Sequence, residues 1–482
     1  MTVEAETQEK PGGRQLVIML IVACAMFMQN LDSTIIATAL PTIAESIGET
    51  PLRLNVAITC YLLSLAVFIP ISGWTADRFG ARRVFTAAII VFTIGSIGCG
   101  LAQSLSMLVV ARIVQGMGGA MMVPVGRLIL LKTVPKSELV RAMSYVSIPA
   151  LIGPIMGPPL GGFIVTYASW RWIFFINIPI GVLGVLLVNL FIKNIREATV
   201  RPFDVRGFML TAVGLASLMF GFETVGRGEL PVAATAGLLA LGAVCLVLYA
   251  RHARLVDHPI IDLAPMRIPT YAMTTIGGFL FRMGMGALPF LMPLMLQVGF
   301  GLDALSSGLL TFASAAGAMT MKATVLPIIR AAGFRTVLIA NTVVCSAFLF
   351  SYSFFQPSTP HYVIFLALLA GGFFRSLQMT SLNTLSYADV PGNMLSRATS
   401  LTSMTQQLSQ SMGVGMGALF LYVMLAVHGS GTPGPADFSF ALAGVAVMSM
   451  LSVPFFLRMS PDAGAEVSGR PVANTAAKMP GE

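Results

Sequence analysis

The stretch MLIVACAMFMQNLDSTIIATALP (residues 19–41) decides the fold class, because nearly all of it is apolar enough to lie in lipid. It nevertheless carries Asp32 well inside the run. A charged side chain in the hydrocarbon of a bilayer costs several kcal/mol and usually marks a function. The stretch therefore predicts a membrane-spanning helix in which the carboxylate of Asp32 has a functional role.

The composition of the whole chain repeats this pattern. Hydrophobic residues make up 56% of the 482 residues and charged residues only 10%, which is typical of an all-α polytopic membrane protein. The five cysteines all fall inside apolar runs, so we interpret them as small buried residues and expect no disulfide or metal site. The first 14 residues mix acidic and basic side chains before a long apolar run, which favours an uncleaved first span over a removed signal peptide.

A window of about 20 residues predicts about fourteen spans. They lie near residues 16–38, 52–72, 84–103, 106–130, 142–166, 171–192, 207–225, 231–250, 270–298, 305–326, 335–355, 361–386, 398–426 and 437–457.

The distribution of Lys and Arg tests this topology independently. With the N-terminus inside, most of the 29 basic residues fall in inner segments, and the outer segments hold only Arg53, Arg171 and Arg227. Cytoplasmic loops are enriched in Lys and Arg, so both termini are expected in the cytoplasm, with the chain crossing the cytoplasmic (inner) membrane many times. The net charge of +9 then reflects topology and requires no nucleic-acid partner.

Two loops recur along the chain. TVPKSELVRAMSYVS (133–147) matches DVPGNMLSRATSLTS (389–403) at a shift of 256, and DRFGARRV (77–84) matches RAAGFRTV (330–337) at a shift of 253. Parallel repeats of six-span halves are typical of transporters, whose substrate sites lie near the midplane between the halves. The sequence therefore predicts two related six-span halves joined by two inserted spans.

Two glycine-rich motifs lie in the first half of the chain. GWTADRFGARR (73–83) is predicted to form an inner loop whose glycines permit a tight turn, and GPIMGPPLGG (153–162) lies inside a predicted span. An ordinary basic loop and simple close packing of helices, respectively, remain the alternatives to a role in conformational change.

Four motifs together resemble the major facilitator superfamily, and in particular its fourteen-span drug:proton antiporters. GWTADRFGARR is similar to the inner-loop signature of the superfamily, and GPIMGPPLGG to its antiporter signature in the fifth span. LDSTIIATALP (31–41) and ARIVQGMGGA (111–120) resemble the first-span and fourth-span signatures, and the resemblance runs from about residue 16 to 457. It implies a major facilitator fold of 14 transmembrane helices arranged six, two and six, with two pseudo-symmetric halves.

The predicted domains follow from this arrangement. They are a cytoplasmic tail (1–15), an N-terminal six-helix half (16–192), a linker with two inserted helices (193–269), a C-terminal six-helix half (270–457) and a cytoplasmic tail (458–482).

The resemblance also implies efflux by alternating access, driven by protons. Its first-span acid falls on Asp32 and its fourth-span arginine on Arg112. The sequence supports this pairing, because each residue lies about six residues from the outer end of its span. At about 1.5 Å per residue both are roughly 9 Å below the outer end, and equal depth makes contact possible. A carboxylate exposed alternately to two aqueous sides can carry a proton, whereas a static ion pair that fixes helix packing is the alternative. Glu223, near the outer end of the seventh predicted span, is a second candidate acid.

Other polar residues within spans are candidates for substrate binding. Arg282 and Arg375 lie near the centres of two spans, while Arg127 is expected to extend its charge to the membrane surface. Lys322 lies nearer the cytoplasmic end of its span. The full set of substrate-binding candidates is Asn30, Gln115, Arg282, Arg375, Gln378 and Gln406. The candidates for conformational gating are Gly73, Asp77, Arg78, Gly80, Arg82, Arg83, Gly153, Gly157, Pro158, Gly161 and Gly162.

These features bear on three functions. The first is proton-coupled export of small organic compounds or drugs, and the second is export of a specific anionic metabolite or metal chelate, such as a citrate-type compound. The third, a membrane receptor or enzyme, has no support, because the chain contains no Walker-type phosphate loop or HExxH metal motif. We expect a non-enzymatic transporter that acts as a monomer in the lipid bilayer, with the proton as coupling ion and no other cofactor or metal.

Overall fold

The structure is a computed structural model and describes residues 13–49, 51–135, 138–194, 202–224, 230–302, 304–428 and 433–468. Within these residues, thirteen helical segments are long and apolar enough to cross a membrane. A further helix of 29 residues covers Leu139–Tyr167. The chain is therefore a helical membrane protein with many spans.

The part of the chain up to Phe191 forms eight α-helices in its described residues. They are α1 (Gly13–Ile47), α2 (Pro51–Phe68), α3 (Ser72–Phe79), α4 (Ala81–Gly100), α5 (Leu105–Thr133), α6 (Leu139–Tyr167), α7 (Trp172–Phe175) and α8 (Asn177–Phe191). A single 3-10 turn, Ile69–Ile71, connects α2 to α3.

Two helices, α9 (Val205–Thr224) and α10 (Val232–Leu255), pack against each other and follow this first group. The remaining α-helices of the described chain are α11 (Pro269–Gly286), α12 (Leu288–Leu294), α13 (Ala304–Ala332), α14 (Phe334–Tyr352), α15 (His361–Ala388), α16 (Leu395–His428), α17 (Pro435–Met450), α18 (Val453–Leu457) and α19 (Ala465–Ser468).

The helix pairings of the first group recur in the last group. Helix α1 packs on α6 as α11 packs on α16, and α2 packs on α5 as α13 packs on α15. Helix α4 contacts α5 and α8, and α14 likewise contacts α15 and α17. The repeat seen in the sequence is thus present in the packing of the helices.

The matched loops also share one backbone conformation. Gly80 and Gly333 have φ values of 90° and 78°, which residues with a side chain rarely adopt. The N–H of Gly80 donates to the carbonyl of Ala76 at 2.9 Å, and that of Gly333 donates to Ile329 at 2.8 Å. Each glycine therefore ends one helix and begins the next without an intervening loop.

The prediction that residues 73–83 form a loop is therefore wrong. Helix α3 continues to Phe79 and α4 begins at Ala81, so that only Gly80 interrupts the helices. The ninth predicted span, 270–298, is also interrupted. It changes from α11 to α12 at Ala287 and ends in a π-helical turn, Met295–Gly299. Pro289 and Pro293 lack the N–H that a continuous helix requires, which explains this irregularity.

Candidate functional site

Asp32 and Arg112 form an ion pair in the interior of the first helix group. Nη1 of Arg112 lies 2.6 Å from Oδ2 of Asp32, and both side chains are completely buried. Nε of Arg112 donates to the carbonyl of Ala57 at 3.4 Å, and its guanidinium lies 4.2 Å above the ring of Tyr61. The contact that equal depths in the sequence suggested is present, and it joins α1 to α5 and α2.

A network of uncharged polar groups surrounds this ion pair. Nε2 of Gln115 and Nδ2 of Asn177 donate to Oδ1 of Asp32 at 2.7 and 3.2 Å, respectively. The hydroxyl of Ser96 accepts hydrogen bonds from both amides, at 3.2 and 2.8 Å. Both oxygens of the carboxylate are therefore hydrogen-bonded, as a buried charge requires.

Glycines of the antiporter-like signature bring α6 against the part of α1 that holds Asp32. A Cβ on Gly153 would lie 2.9 Å from the backbone nitrogen of Leu31 and 3.0 Å from Cβ of Asn30, and one on Gly157 would overlap Thr34. Gly161 is buried, whereas a Cβ on Gly162 would meet nothing within 4 Å. The side chain of Pro158 lies outside the described residues, as does that of Glu223. Close packing at Gly153 and Gly157 thus fixes the position of α1.

A cavity of about 860 Å³ lies between the two helix groups, lined by residues of both. Its charged lining residues are all basic among the residues described: Arg127, Arg282, Lys322 and Arg375. Amides contribute further polar groups to the wall: Asn30, Asn383, Gln406, Gln407 and Gln410. Methionines form much of the remainder: Met26, Met143, Met219, Met285 and Met379. This cavity has the size and mixed lining of a small-molecule site.

Three of the basic groups have neutral partners or none. Nη2 of Arg282 donates to Oδ1 of Asn383 at 3.0 Å, and Nζ of Lys322 donates to the hydroxyl of Thr380 at 2.7 Å. Arg375 has no hydrogen-bond partner in the part of the chain that the structure describes. The cavity therefore has a positive charge that these residues do not neutralise.

Arg127 was expected to extend to the membrane surface, and this expectation is wrong. Its side chain is buried, and it donates to the hydroxyl of Tyr387 at 3.3 Å and to Oε1 of Gln406 at 3.2 Å. Tyr387 and Gln406 belong to the second helix group. Arg127 thus lines the cavity and joins the two groups, which spacing along α5 alone could not reveal.

The substrate-binding candidates separate into two sets. Asn30, Arg282, Arg375 and Gln406 line the cavity. Gln115 instead lies in the buried network around Asp32, and Gln378 is fully buried beside α14, where it donates to Thr342 at 2.7 Å and accepts from Asn341 at 3.0 Å. Neither is among the described residues that line the cavity.

The first gating motif touches the second helix group at the face that carries Gly80 and Gly333, which we call the predicted inner face. Ser396 donates to Oδ2 of Asp77 at 2.7 Å, and the hydroxyls of Ser72 and Ser400 are 2.9 Å apart. A Cβ on Gly73 would lie 2.7 Å from the Ser400 hydroxyl oxygen, so this glycine permits α3 to approach α16. The motif therefore joins the two groups at one end of the cavity.

The basic residues of this motif lie outside that contact. Arg78 is exposed and stacks on Trp74 at 5.3 Å. Arg82 is half-buried, and the backbone N–H of Arg83 donates to Oδ1 of Asn194 at 3.4 Å.

Comparison with known proteins accounts for this arrangement. The model of the Major Facilitator Superfamily matches residues 22–414. The chain belongs to the major facilitator superfamily. Major facilitator proteins are transporters, and this chain is accordingly a membrane transporter and not an enzyme.

Two major facilitator relatives are similar over nearly the whole chain. They are the proteins described as "Putative multidrug resistance protein MdtD" of Escherichia coli O6:H1 (strain CFT073) and of Shigella sonnei (strain Ss046). Each is 41% identical over 438 residues, which cover 91% of this chain and 93% of the relative.

Two solved major facilitator structures share the fold. The human organic anion transporter MFSD10 (TETRAN) has a TM-score of 0.68 at 13% identity, covering 93% of this chain and 100% of that one. The proton:xylose symporter XylE, bound to 6-bromo-6-deoxy-D-glucose, has a TM-score of 0.65 at 14% identity, covering 94% and 98%.

Sequence reasoning missed several residues of this major facilitator site. Asn177 and Ser96 complete the shell of Asp32, and Asn383 holds Arg282 and Gln406. Asn177 gave a usable signal, because it is a lone amide within the apolar sequence FFINIPIGVLGVLL. Ser96 gave none, since a serine is common in a membrane span.

Proposed function

We propose that the protein is a proton-coupled antiporter that exports small organic compounds across the cytoplasmic membrane by alternating access. The observation that carries this proposal is the buried pair of Asp32 and Arg112 on α1 and α5, two helices that also line the cavity between the two helix groups. The 41% sequence identity to relatives that are named for multidrug resistance supports small organic compounds as the substrates.

The proposed topology has fourteen spans arranged six, two and six, with both termini in the cytoplasm. Helix α6 is added to the thirteen candidate spans and brings their number to fourteen. Its 29 residues pack along α1 in the same way as the spanning helix α16 packs along α11. Helices α9 and α10 are the inserted pair, with α9 lying between α2 and α16. In this arrangement one monomer contains the whole transport path.

The chemistry of coupling follows from the contacts of Asp32. A proton that binds the carboxylate removes the negative charge that Arg112 faces and replaces an acceptor by an O–H donor. Arg112 of α5 then binds Asp32 of α1 less strongly, and α1 moves relative to α5. Release of the proton on the other side restores the ion pair, so that proton entry drives the halves between two arrangements.

The test is transport in proteoliposomes under an imposed pH gradient, comparing a lipophilic cation with a citrate-like anion. Asp32→Asn should abolish transport driven by the gradient while substrate binding remains. Asp437→Asn is the matched control, because Asp437 is a buried carboxylate that caps α17 and lies outside the site. Normal transport by Asp32→Asn would mean that the ion pair only fixes helix packing.

A second candidate, export of an anion, is favoured by the cavity lining. Its four basic residues face no acidic residue among the lining positions described. A positively charged cavity with low-dielectric walls attracts anions and repels cations. A carboxylate-rich metabolite or a metal chelate such as a citrate-type compound would satisfy these groups.

Charge-neutral substitutions test this candidate. Arg282→Gln and Arg375→Gln should each raise the KM for an anionic substrate by roughly tenfold or more, since a hydrogen bond to a charged group contributes about 1.5–3 kcal/mol. Arg330→Gln is the control, because Arg330 is exposed at the end of α13. Unchanged transport of anions by both cavity variants would exclude the anionic substrate.

A further inference from the structure

Three helices place unpaired polar atoms behind one wall of the cavity. Oε1 of Gln29, the hydroxyl of Tyr61 and Nη2 of Arg112 are buried and have no hydrogen-bond partner among the described residues. They belong to α1, α2 and α5, respectively. A buried polar group without a partner costs about 1–3 kcal/mol, and proteins commonly satisfy such groups with buried water.

Two of these groups lie close to Gly119 of α5, where the absence of a side chain lets them approach the helix. A Cβ at Gly119 would lie 3.2 Å from the hydroxyl of Tyr61 and 3.7 Å from Cδ of Gln29. The hydroxyl of Tyr61 and the amide of Gln29 therefore lie close to the same position of α5. A hydroxyl and an amide oxygen are suitable partners for water, which donates two hydrogen bonds and accepts two.

This position lies between the cavity and the ion pair. Asn30 and Leu62, the chain neighbours of Gln29 and Tyr61, line the cavity. On the other side, the guanidinium of Arg112 covers the ring of Tyr61 at 4.2 Å and binds Asp32 through Nη1. Asp32 itself is 1% exposed, so a proton needs a route through the protein to reach it.

We propose that the unpaired polar atoms of Gln29 and Tyr61 beside Gly119, together with Nη2 of Arg112, bind water, and that this hydrated site conducts protons between the cavity and Asp32. A proton from cavity water joins the bound water, and the bound water releases a different proton towards the carboxylate. Where the Tyr61 hydroxyl takes part, it accepts one proton and donates its own. Each group returns to its starting state, and Asp32 gains one proton. This inference rests on the proposed function of Asp32 as the proton carrier.

The test compares two modes of transport in the same proteoliposomes. The first is transport driven by a pH gradient, which requires a proton to reach Asp32 in every cycle. The second is exchange of labelled for unlabelled substrate at equal pH, which needs no net proton movement. The substrate is whichever of the lipophilic cation and the citrate-like anion the wild type transports.

Tyr61→Phe and Gly119→Ala should slow gradient-driven transport by roughly 10²-fold, as expected for loss of a proton-transfer group, and should leave exchange near the wild-type rate. Gly126→Ala is a matched control on the same helix. Its Cβ would meet carbon atoms of Val22 and Phe85 at 3.0 and 3.2 Å, whereas that of Gly119 meets Leu65 at 3.0 Å and the Tyr61 hydroxyl at 3.2 Å. Tyr352→Phe controls for loss of a buried tyrosine hydroxyl elsewhere.

The outcomes separate this inference from the proposed function. If Asp32→Asn abolishes gradient-driven transport but Tyr61→Phe and Gly119→Ala do not slow it, Asp32 carries the proton and the hydrated route is wrong. If both variants slow exchange as much as gradient-driven transport, their effect is structural and the route is also wrong. If Asp32→Asn transports normally, the proposed coupling is wrong, and the route is wrong with it, because it would deliver protons to a carboxylate that does not carry them.

Discussion

At the scale of residues, Asp32 stays in the bilayer because its neighbours compensate its charge. Arg112 supplies the opposite charge, and Gln115 and Asn177 supply further donors. Removing one partner of a buried ion pair leaves the other charge unpaired, which commonly costs about 3–5 kcal/mol. The pair therefore stabilises the fold only as long as both members are present.

Arg112→Met should lower the free energy of unfolding by about 3–5 kcal/mol for this reason. The double variant Asp32→Asn with Arg112→Met should be more stable than Arg112→Met alone, because it leaves no unpaired charge. Unfolding in mixed detergent micelles measures the stability of Arg112→Met, Asp32→Asn and the double variant, and the exposed Arg330→Met is the control. If the two single effects simply add in the double variant, the residues do not stabilise each other.

The sequence predicted the contact of Asp32 with Arg112 but not the environment of that contact. Equal depth along two spans was sufficient for the pair, because depth is set by the number of residues from the membrane surface. Gln115 was a candidate for substrate binding because it is polar and lies within a span, and this does not identify its neighbours. Arg127 was expected at the membrane surface because its side chain is long, and its partners Tyr387 and Gln406 lie more than 250 positions away along the chain.

At the scale of elements, glycines determine which helices approach closely. Gly153 and Gly157 bring α6 into contact with the backbone and side chains of α1 around Asp32. In a bilayer such close packing replaces much of the hydrophobic driving force that joins helices in water. The position of Asp32 therefore depends on residues of a helix whose described side chains do not contribute to its hydrogen bonds.

Gly157→Ala should displace α6 from α1, because the added Cβ would overlap Thr34. We expect a lower melting temperature in detergent and slower transport driven by a pH gradient. Gly162→Ala, one turn further along α6, is the control and should change neither, since its Cβ would meet nothing within 4 Å. Equal melting temperatures for Gly157→Ala and the wild type would mean that α6 is free to adjust.

The repeat was predictable at this scale, although the form of its loops was not. Gly80 and Gly333 were matched from sequence, and the structure gives both a positive φ and the same hydrogen bond to the preceding helix. The predicted loop around Gly80 does not exist, because hydropathy detects where a span leaves the lipid and not where a helix ends. The polar residues of α3 continue the helix beyond that point.

At the scale of the whole molecule, the two helix groups meet on one side of the cavity through polar contacts of their described residues. Asp77 and Ser72 of the first half contact Ser396 and Ser400 of the second, and Arg127 contacts Tyr387 and Gln406. Polar contacts of this kind are easily exchanged for water, which suits the proposed opening of this interface during transport. Of these, Arg127 and Gln406 also line the cavity, so their contact would connect substrate binding to the proposed closure.

Arg127→Met should weaken the contact between the halves and increase the population that is open at the predicted inner face. Spin labels at positions 83 and 330, which are exposed in opposite halves, would report a larger fraction of long distances. The control is Arg458→Met, because Arg458 is exposed and lies outside this interface. An unchanged distance distribution would show that the serine contacts hold the halves together without Arg127.

The basic lining of the cavity also determines how the proposed exchange responds to voltage. An anion that leaves while a proton enters moves charge in the same electrical direction as the proton, whereas an exported cation opposes it. Each elementary charge that crosses a potential of 100 mV contributes about 2.3 kcal/mol. An anion exporter built this way is therefore strongly electrogenic. It draws on the membrane voltage as well as on the pH gradient, and it continues to export when the pH is equal on both sides.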